Sequence, residues 1–144
     1  MDRNDYLAKA RHNEEFLDTI DKDRFCDWWV TASFYVALHY VNAFVSMSLN
    51  SGFCSHEKIK KILHPEGPIK HLRFSRNEYL DYLELQNLSR KARYMQVGET
   101  AESACKIMKP KHVLKAASLM DSVRKYVLGK IPKEKEGLEK EPSV

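Results

Sequence analysis

The chain has 144 residues, of which 43% are hydrophobic and 31% are charged, so it has the size of one domain that buries its own core. Glycine and proline number only five each, which favours helix throughout. The three cysteines (Cys26, Cys54 and Cys105) are widely spaced and odd in number, which excludes a closed disulfide framework. Together with the charged first sixteen residues, which lack the apolar core of a signal peptide, they predict reduced thiols in a cytoplasmic protein.

The net charge of +4 is distributed unevenly along the chain. Residues 1–23 carry four basic and seven acidic side chains, whereas residues 56–94 carry nine basic against five acidic. Residues 105–130 carry seven basic side chains and one acidic one. If the two basic segments lie side by side, they form a positive face suited to phosphate, RNA or an acidic partner. The alternative for any single lysine is a solvated position on a helix surface.

The first two predicted helices span residues 4–21 and about 23–50. Asp2 or Asn4 is the expected cap of the first. The second contains a run of more than twenty residues whose one charge is Asp27 at its start. Small and polar side chains interrupt this run throughout, which is unlike a lipid-facing helix and favours the central helix of a soluble bundle. His39 in its middle is either a hydrogen-bonded core residue or a polar group aimed into a cleft.

The remaining helices follow a turn at Gly52. Ser55 precedes a short basic helix that ends at His64-Pro65, and a third long helix is predicted from about Ile69 to Tyr94. Its predicted core face comprises Leu72, Tyr79, Leu80, Leu83 and Leu88, with Tyr82 and Leu85 flanking. A short turn from Thr100 to Met108 precedes a last helix starting at Pro110, with an apolar stripe of Val113, Ala116, Ala117, Met120, Val123 and Val127.

These elements predict an all-α protein, an up-and-down bundle of four main helices plus a short one, over residues 1–130. Residues 131–144 alternate charges and contain almost no apolar side chain, so we expect a disordered tail. No phosphate-binding loop, dinucleotide fingerprint or zinc spacing is present, and we therefore expect neither a cofactor nor a metal.

The densest set of candidate binding residues lies at the end of the third long helix. Arg90 and Arg93 are three residues apart and share a helix face, where guanidinium groups suit phosphate or carboxylate. Tyr94 could stack or donate a hydrogen bond. His56 is expected to fold back beside the two arginines. The alternative is that these charges only complement the helix end and pair with Glu84 or Asp81.

Three segments resemble the HEPN superfamily (higher eukaryote and prokaryote nucleotide-binding). The run from Trp29 to Val41 is similar to the family's second helix, and Ser55-His56-Glu57 is similar to the loop after it. The pattern from Tyr82 to Tyr94 is similar to the end of the third helix in a bacterial and archaeal subgroup. The resemblance covers most of residues 4–130 and implies a helical up-and-down bundle that pairs as a two-fold dimer.

The resemblance also implies a function. Many family members cleave RNA without metal, and their hallmark is an arginine followed after four to six residues by a histidine. This sequence lacks that spacing. The leading hypothesis is therefore a module, without proven catalysis, that binds nucleotide or RNA or partners a nucleotidyltransferase-type protein, in a toxin-antitoxin or defence context.

Two alternatives to a binding module stay open. The first is an RNA endonuclease with a rearranged site, in which His39 and His56 are the acid or base candidates and Arg90, Arg93 and Tyr94 hold phosphate. Both this hypothesis and the binding hypothesis require His39 and the arginine pair to line a common polar recess. The second is a non-catalytic interaction bundle whose polar core residues only fix helix register.

Overall fold

A computed structural model describes residues 1–48, 55–93 and 108–132. These residues form five α-helices: α1 (Arg3–Thr19), α2 (Cys26–Val45), α3 (His56–Leu63), α4 (Arg76–Arg93) and α5 (Pro110–Lys130). A short 3₁₀ helix, Lys70–Leu72, lies between α3 and α4. The described residues include no strand, which confirms the all-α prediction.

The first helix begins where the sequence predicts. The Asp2 carboxylate accepts the Asp5 backbone N–H at 2.9 Å, and the Asp5 carboxylate accepts the Asp2 backbone N–H at 2.9 Å. This reciprocal pair satisfies two of the N–H groups that a helix start leaves without partners. Ala10 and Leu17 on the inner face of α1 are buried in the core.

The second helix is the centre of the fold, and it is shorter than the sequence predicts. Asp21 accepts the backbone N–H groups of Asp23 and Arg24 at 3.1 Å each, which forms a separate turn before α2 starts at Cys26. At its other end the helix stops at Val45 and the chain turns. α2 packs against α1, α4 and α5, and Val30, Phe34 and Val41 on it are fully buried.

The third and fifth helices agree with prediction. The Ser55 hydroxyl caps α3 by accepting the Lys58 backbone N–H at 3.2 Å, and α3 ends before His64. α5 begins at Pro110, and its buried face includes five of the six predicted residues. Ala117 is only half-buried, and Leu119 is the additional buried residue.

The fourth helix begins seven residues later than predicted. The Phe74 N–H donates to the Leu63 carbonyl at 2.8 Å, and the Ser75 N–H donates to the Tyr126 hydroxyl at 3.1 Å. These two bonds fix extended backbone before Arg76 and place Leu72 and Phe74 in the core. Serine followed three residues later by Glu78 is the start signal in the sequence, and the Ser75 hydroxyl donates to that carboxylate.

The buried face of α4 also differs from prediction. Tyr82, Leu85, Gln86 and Ser89 are buried, whereas Leu80 is 50% exposed. Tyr79, Leu83 and Leu88 are only half-buried at the edges of the core. The prediction placed Tyr82 and Leu85 at the flank of the core face. Because α4 packs against both α2 and α5, its core face is instead centred on the line between those two neighbours.

A polar network connects three helices. The Tyr40 hydroxyl on α2 donates to the Glu14 carboxylate on α1 at 2.5 Å, and Arg124 on α5 approaches the same carboxylate at 3.7 Å. Burial, followed by Glu14, raises the pKa of Tyr40 above its usual value, so the hydroxyl remains a donor.

Several predictions concern residues outside the described part of the chain. They are residues 100–107 of the turn predicted from Thr100 to Met108, the thiols of Cys54 and Cys105, Tyr94 and the tail after Pro132. Cys26 is a buried free thiol. Within residues 1–48, 55–93 and 108–132, none of the helices combines the length and apolarity that crossing a membrane requires.

Candidate phosphate-binding site

The end of α4 and the start of α3 bring three cationic side chains near one histidine. The pKa of His56, the first residue of α3, is lowered by partial burial and then by the charges of Arg90, Arg93 and Lys60. Three positive charges around one imidazole disfavour its protonated form. Glu57, which pairs with Lys60 at 3.4 Å, acts in the opposite direction. We call His56, Lys60, Arg90 and Arg93 the cationic cluster.

The position of His56 is set by an aromatic contact with the central helix. Its ring centroid lies 6.0 Å from that of Phe34, which is fully buried on α2. The same Phe34 ring lies 5.9 Å from Tyr82 on α4. The side chain of His56 thus rests against the core on one side and is exposed on the other, where a ligand can reach it.

Arg93 is held in place by α2 and by its own helix. Its Nη1 donates to the Tyr35 hydroxyl at 2.7 Å, and its guanidinium carbon lies 5.6 Å from the Tyr35 ring centroid. Its Nε donates to the Ser89 carbonyl at 3.3 Å. A guanidinium oriented by several fixed partners loses little further side-chain freedom when it binds a ligand. Arg90, one turn earlier, is exposed.

Arg93 also forms part of the wall of a cavity of about 380 Å³. The other lining residues are Asp27, Trp28, Thr31 and Tyr35 of α2 and Ala92 of α4. This volume lies within the range of small-molecule sites. We call it the Arg93 cavity.

His39 is on the same side of α2 as Tyr35 but one helical turn further along. Burial lowers its pKa, and the charge of Lys9 on α1 lowers it further. Its Nδ1 is buried and has no hydrogen-bond partner. The structure therefore brings His56 to the arginines and places His39 near Lys9 of α1. The recess shared by His39 and the arginine pair stays a prediction.

Sequence reasoning did not single out Tyr35, Trp28 or Lys60 as site residues. Trp28 and Tyr35 are seven residues apart, two helical turns, and line one cavity. The feature that identifies this face is Trp28, which is 62% exposed on an otherwise apolar helix. Its exposure depends on how the helices pack, so the sequence alone does not show it.

The two basic segments, residues 56–94 and 105–130, meet where the end of α4 approaches the start of α5. The pKa of His112 near the start of α5 is lowered by burial, then by Lys111 and Lys109, and also by Lys91 on α4. The two segments thus lie side by side at the α4–α5 junction, which meets the condition for a positive face. Among the described residues, no group of three or more histidine, cysteine or acidic side chains is arranged to hold a metal ion.

Comparison with known proteins adds no assignment. No family model matches the chain, and neither the curated proteins nor the solved structures contain a significant match.

Proposed function

We propose that this protein is a HEPN-like module that binds nucleotide or RNA through phosphate at the cationic cluster. The supporting observation is that the charges of two arginines and a lysine act on His56, with Arg90 exposed and Arg93 oriented by Tyr35. Guanidinium groups bind phosphate with strong, charge-assisted hydrogen bonds. The up-and-down arrangement, the two-fold dimer, a nucleotidyltransferase-type partner and a toxin-antitoxin or defence context are further parts of this proposal. They rest on the resemblance described above.

The first test compares two arginines on the same helix. Arg90→Gln should weaken binding of a single-stranded RNA oligonucleotide by about ten-fold or more, the usual effect of losing a hydrogen bond to a charged group. It should also reduce the slope of log affinity against log salt by roughly 0.7, the value for one phosphate on a single strand. Arg76→Gln at the other end of α4 is the matched control, since Arg76 is also exposed. Equal effects of the two substitutions would contradict a localised site.

The pH dependence of binding provides an independent measurement. A bound phosphate favours the protonated form of His56, whose pKa in the free protein is held below its ordinary value. Affinity should therefore rise as the pH falls toward that lowered value and level off below it. In His56→Gln the rise should be absent.

RNA cleavage is a second candidate, and the state of His56 favours it. A histidine with a lowered pKa is neutral near pH 7 and can accept a 2′-hydroxyl proton, while an adjacent arginine stabilises the phosphorane. His56→Ala should then abolish cleavage of an RNA oligonucleotide in the presence of a chelator, whereas His39→Ala should not. Intact RNA after prolonged incubation with the wild-type protein would exclude this candidate.

A further inference from the structure

The Arg93 cavity differs in charge between its two sides. On the side of α4, Arg93 connects it to the cationic cluster, because Arg93 both lines the cavity and lowers the pKa of His56. On the side of α2, Asp27 is the lining carboxylate. A phosphate is attracted to the first side and repelled from the second. A ligand that spans both must therefore have a negative end and an end that carries hydrogen-bond donors.

We propose that the Arg93 cavity is a base-binding subsite, in which a nucleotide base stacks on Trp28 and presents its N–H groups to Asp27. The phosphate of the same nucleotide then lies toward Arg93 and His56. This inference rests on the proposed phosphate-binding function and adds the class of ligand and its orientation.

The exposure of Trp28 provides the stacking surface. Trp28 is 62% exposed, while its neighbour Trp29 is 8% exposed and belongs to the core. An indole ring that borders a cavity and remains largely in water is suited to stacking with planar rings. Tyr35 forms another part of the wall and is fixed by its hydrogen bond from Arg93.

The carboxylate of Asp27 selects among planar rings. An ionised carboxylate only accepts hydrogen bonds, and it accepts two parallel ones most favourably. Guanine presents two adjacent donors on one edge, N1–H and the N2 amino group. Adenine, cytosine and uracil each place an acceptor beside their donor on that edge. The cavity should therefore prefer guanine nucleotides.

The size of the cavity limits the ligand to one nucleotide. At about 380 Å³ it is near the lower end of the range for small-molecule sites. Thr31 and Ala92, the two smallest lining side chains, leave room for the flat edge of a ring. A longer RNA would place one base here and continue its backbone across the cationic cluster.

The decisive experiment is a calorimetric titration of the full chain at low salt with inorganic phosphate, ribose 5-phosphate and the four nucleoside monophosphates. We expect the nucleotides to bind about ten-fold more tightly than ribose 5-phosphate, which is the usual gain from one stacked base. Guanosine monophosphate should bind most tightly. Trp28→Ala should remove the gain, whereas Trp28→Phe should keep most of it. Leu114→Ala, at an exposed apolar residue of α5, is the control and should leave all affinities unchanged.

The role of Asp27 is tested separately by Asp27→Asn. This substitution should reduce affinity for guanosine monophosphate about ten-fold, since it removes the charge that both donors share. It should leave affinity for ribose 5-phosphate unchanged or raised, because a repelling carboxylate has been neutralised. Asp18→Asn on the exposed surface of α1 is the matched control.

The outcomes separate this inference from the proposed function. If ribose 5-phosphate and nucleotides bind equally and Trp28→Ala changes neither, the base subsite is refuted while phosphate binding stands. If Asp27→Asn leaves the order of the four nucleotides unchanged, the orientation toward Asp27 is refuted. If neither phosphate, ribose 5-phosphate nor any nucleotide binds, the proposed function itself fails.

Discussion

His39 shows at the scale of a single residue how a polar side chain can be tolerated in a packed helix. It is half-buried, its Nδ1 has no partner, and burial and then Lys9 lower its pKa. A neutral imidazole with an unsatisfied buried nitrogen does not contribute a strong interaction to the fold. The influence of the Lys9 charge places its side chain near α1.

His39→Leu should therefore leave the protein folded and raise its free energy of unfolding by up to about 1 kcal/mol, because the unpaired nitrogen is removed. Thermal unfolding at pH 7.5 measures this change. Binding of RNA at the cationic cluster should be unaffected. A loss of more than about 2 kcal/mol would instead indicate that the imidazole makes a hydrogen bond essential to the core.

The connection between α3 and α4 requires a glycine at position 67. The Gly67 N–H donates to the His64 carbonyl at 2.8 Å, and its own carbonyl accepts from Arg73 Nε at 2.7 Å. A Cβ at Gly67 would lie 2.8 Å from the backbone carbonyl oxygens of both Ile62 and Lys61. Only a residue without a side chain fits against the end of α3.

Gly67→Ala should therefore destabilise the protein by about 2 kcal/mol or more, because backbone atoms rather than a flexible side chain must move. Gly129→Ala is the matched control. Nothing lies within 4 Å of a Cβ there, and the position is helical. That substitution should be neutral or stabilise by up to about 1 kcal/mol. Chemical denaturation measures both, and similar effects of the two substitutions would contradict the close approach at Gly67.

At the scale of the whole molecule, three histidines in different helices share one electrostatic property. Burial, followed by nearby cations, lowers the pKa values of His39, His56 and His112 below the ordinary value of about 6.5. Between that value and the lowered ones, the unfolded chain holds more protons than the folded chain. Stability therefore decreases as the pH falls through this window.

The melting temperature should be nearly constant between about pH 7 and 8 and fall by several degrees as the pH falls from 6.5 toward 5. The double variant His39→Leu, His56→Gln should show a smaller fall, because fewer groups then take up protons on unfolding. The carboxyls of Asp2 and Asp121, whose pKa values are lowered by hydrogen bonds, affect stability only at more acidic pH. A melting temperature independent of pH over this range would contradict the histidine contribution.

Local sequence signals determined the helical class and most helix starts. Asp2, Ser55 and Pro110 act through atoms within four residues, so their effects are readable without a fold. The late start of α4 and its buried face depend on Tyr126 and on packing against two helices, which no local pattern contains.

Some residues of the candidate site could be predicted from the sequence, and others were identified only by the tertiary structure. Sequence identified His56, Arg90 and Arg93 through a family-like pattern, and tertiary structure brought them together. The participation of Trp28 and Tyr35 was decided by packing alone, and the recess shared by His39 and the arginines stays a prediction. The physical reason is that an α-helix repeats every 3.6 residues, so sequence shows which residues share a face, whereas only the packed neighbours determine what that face meets.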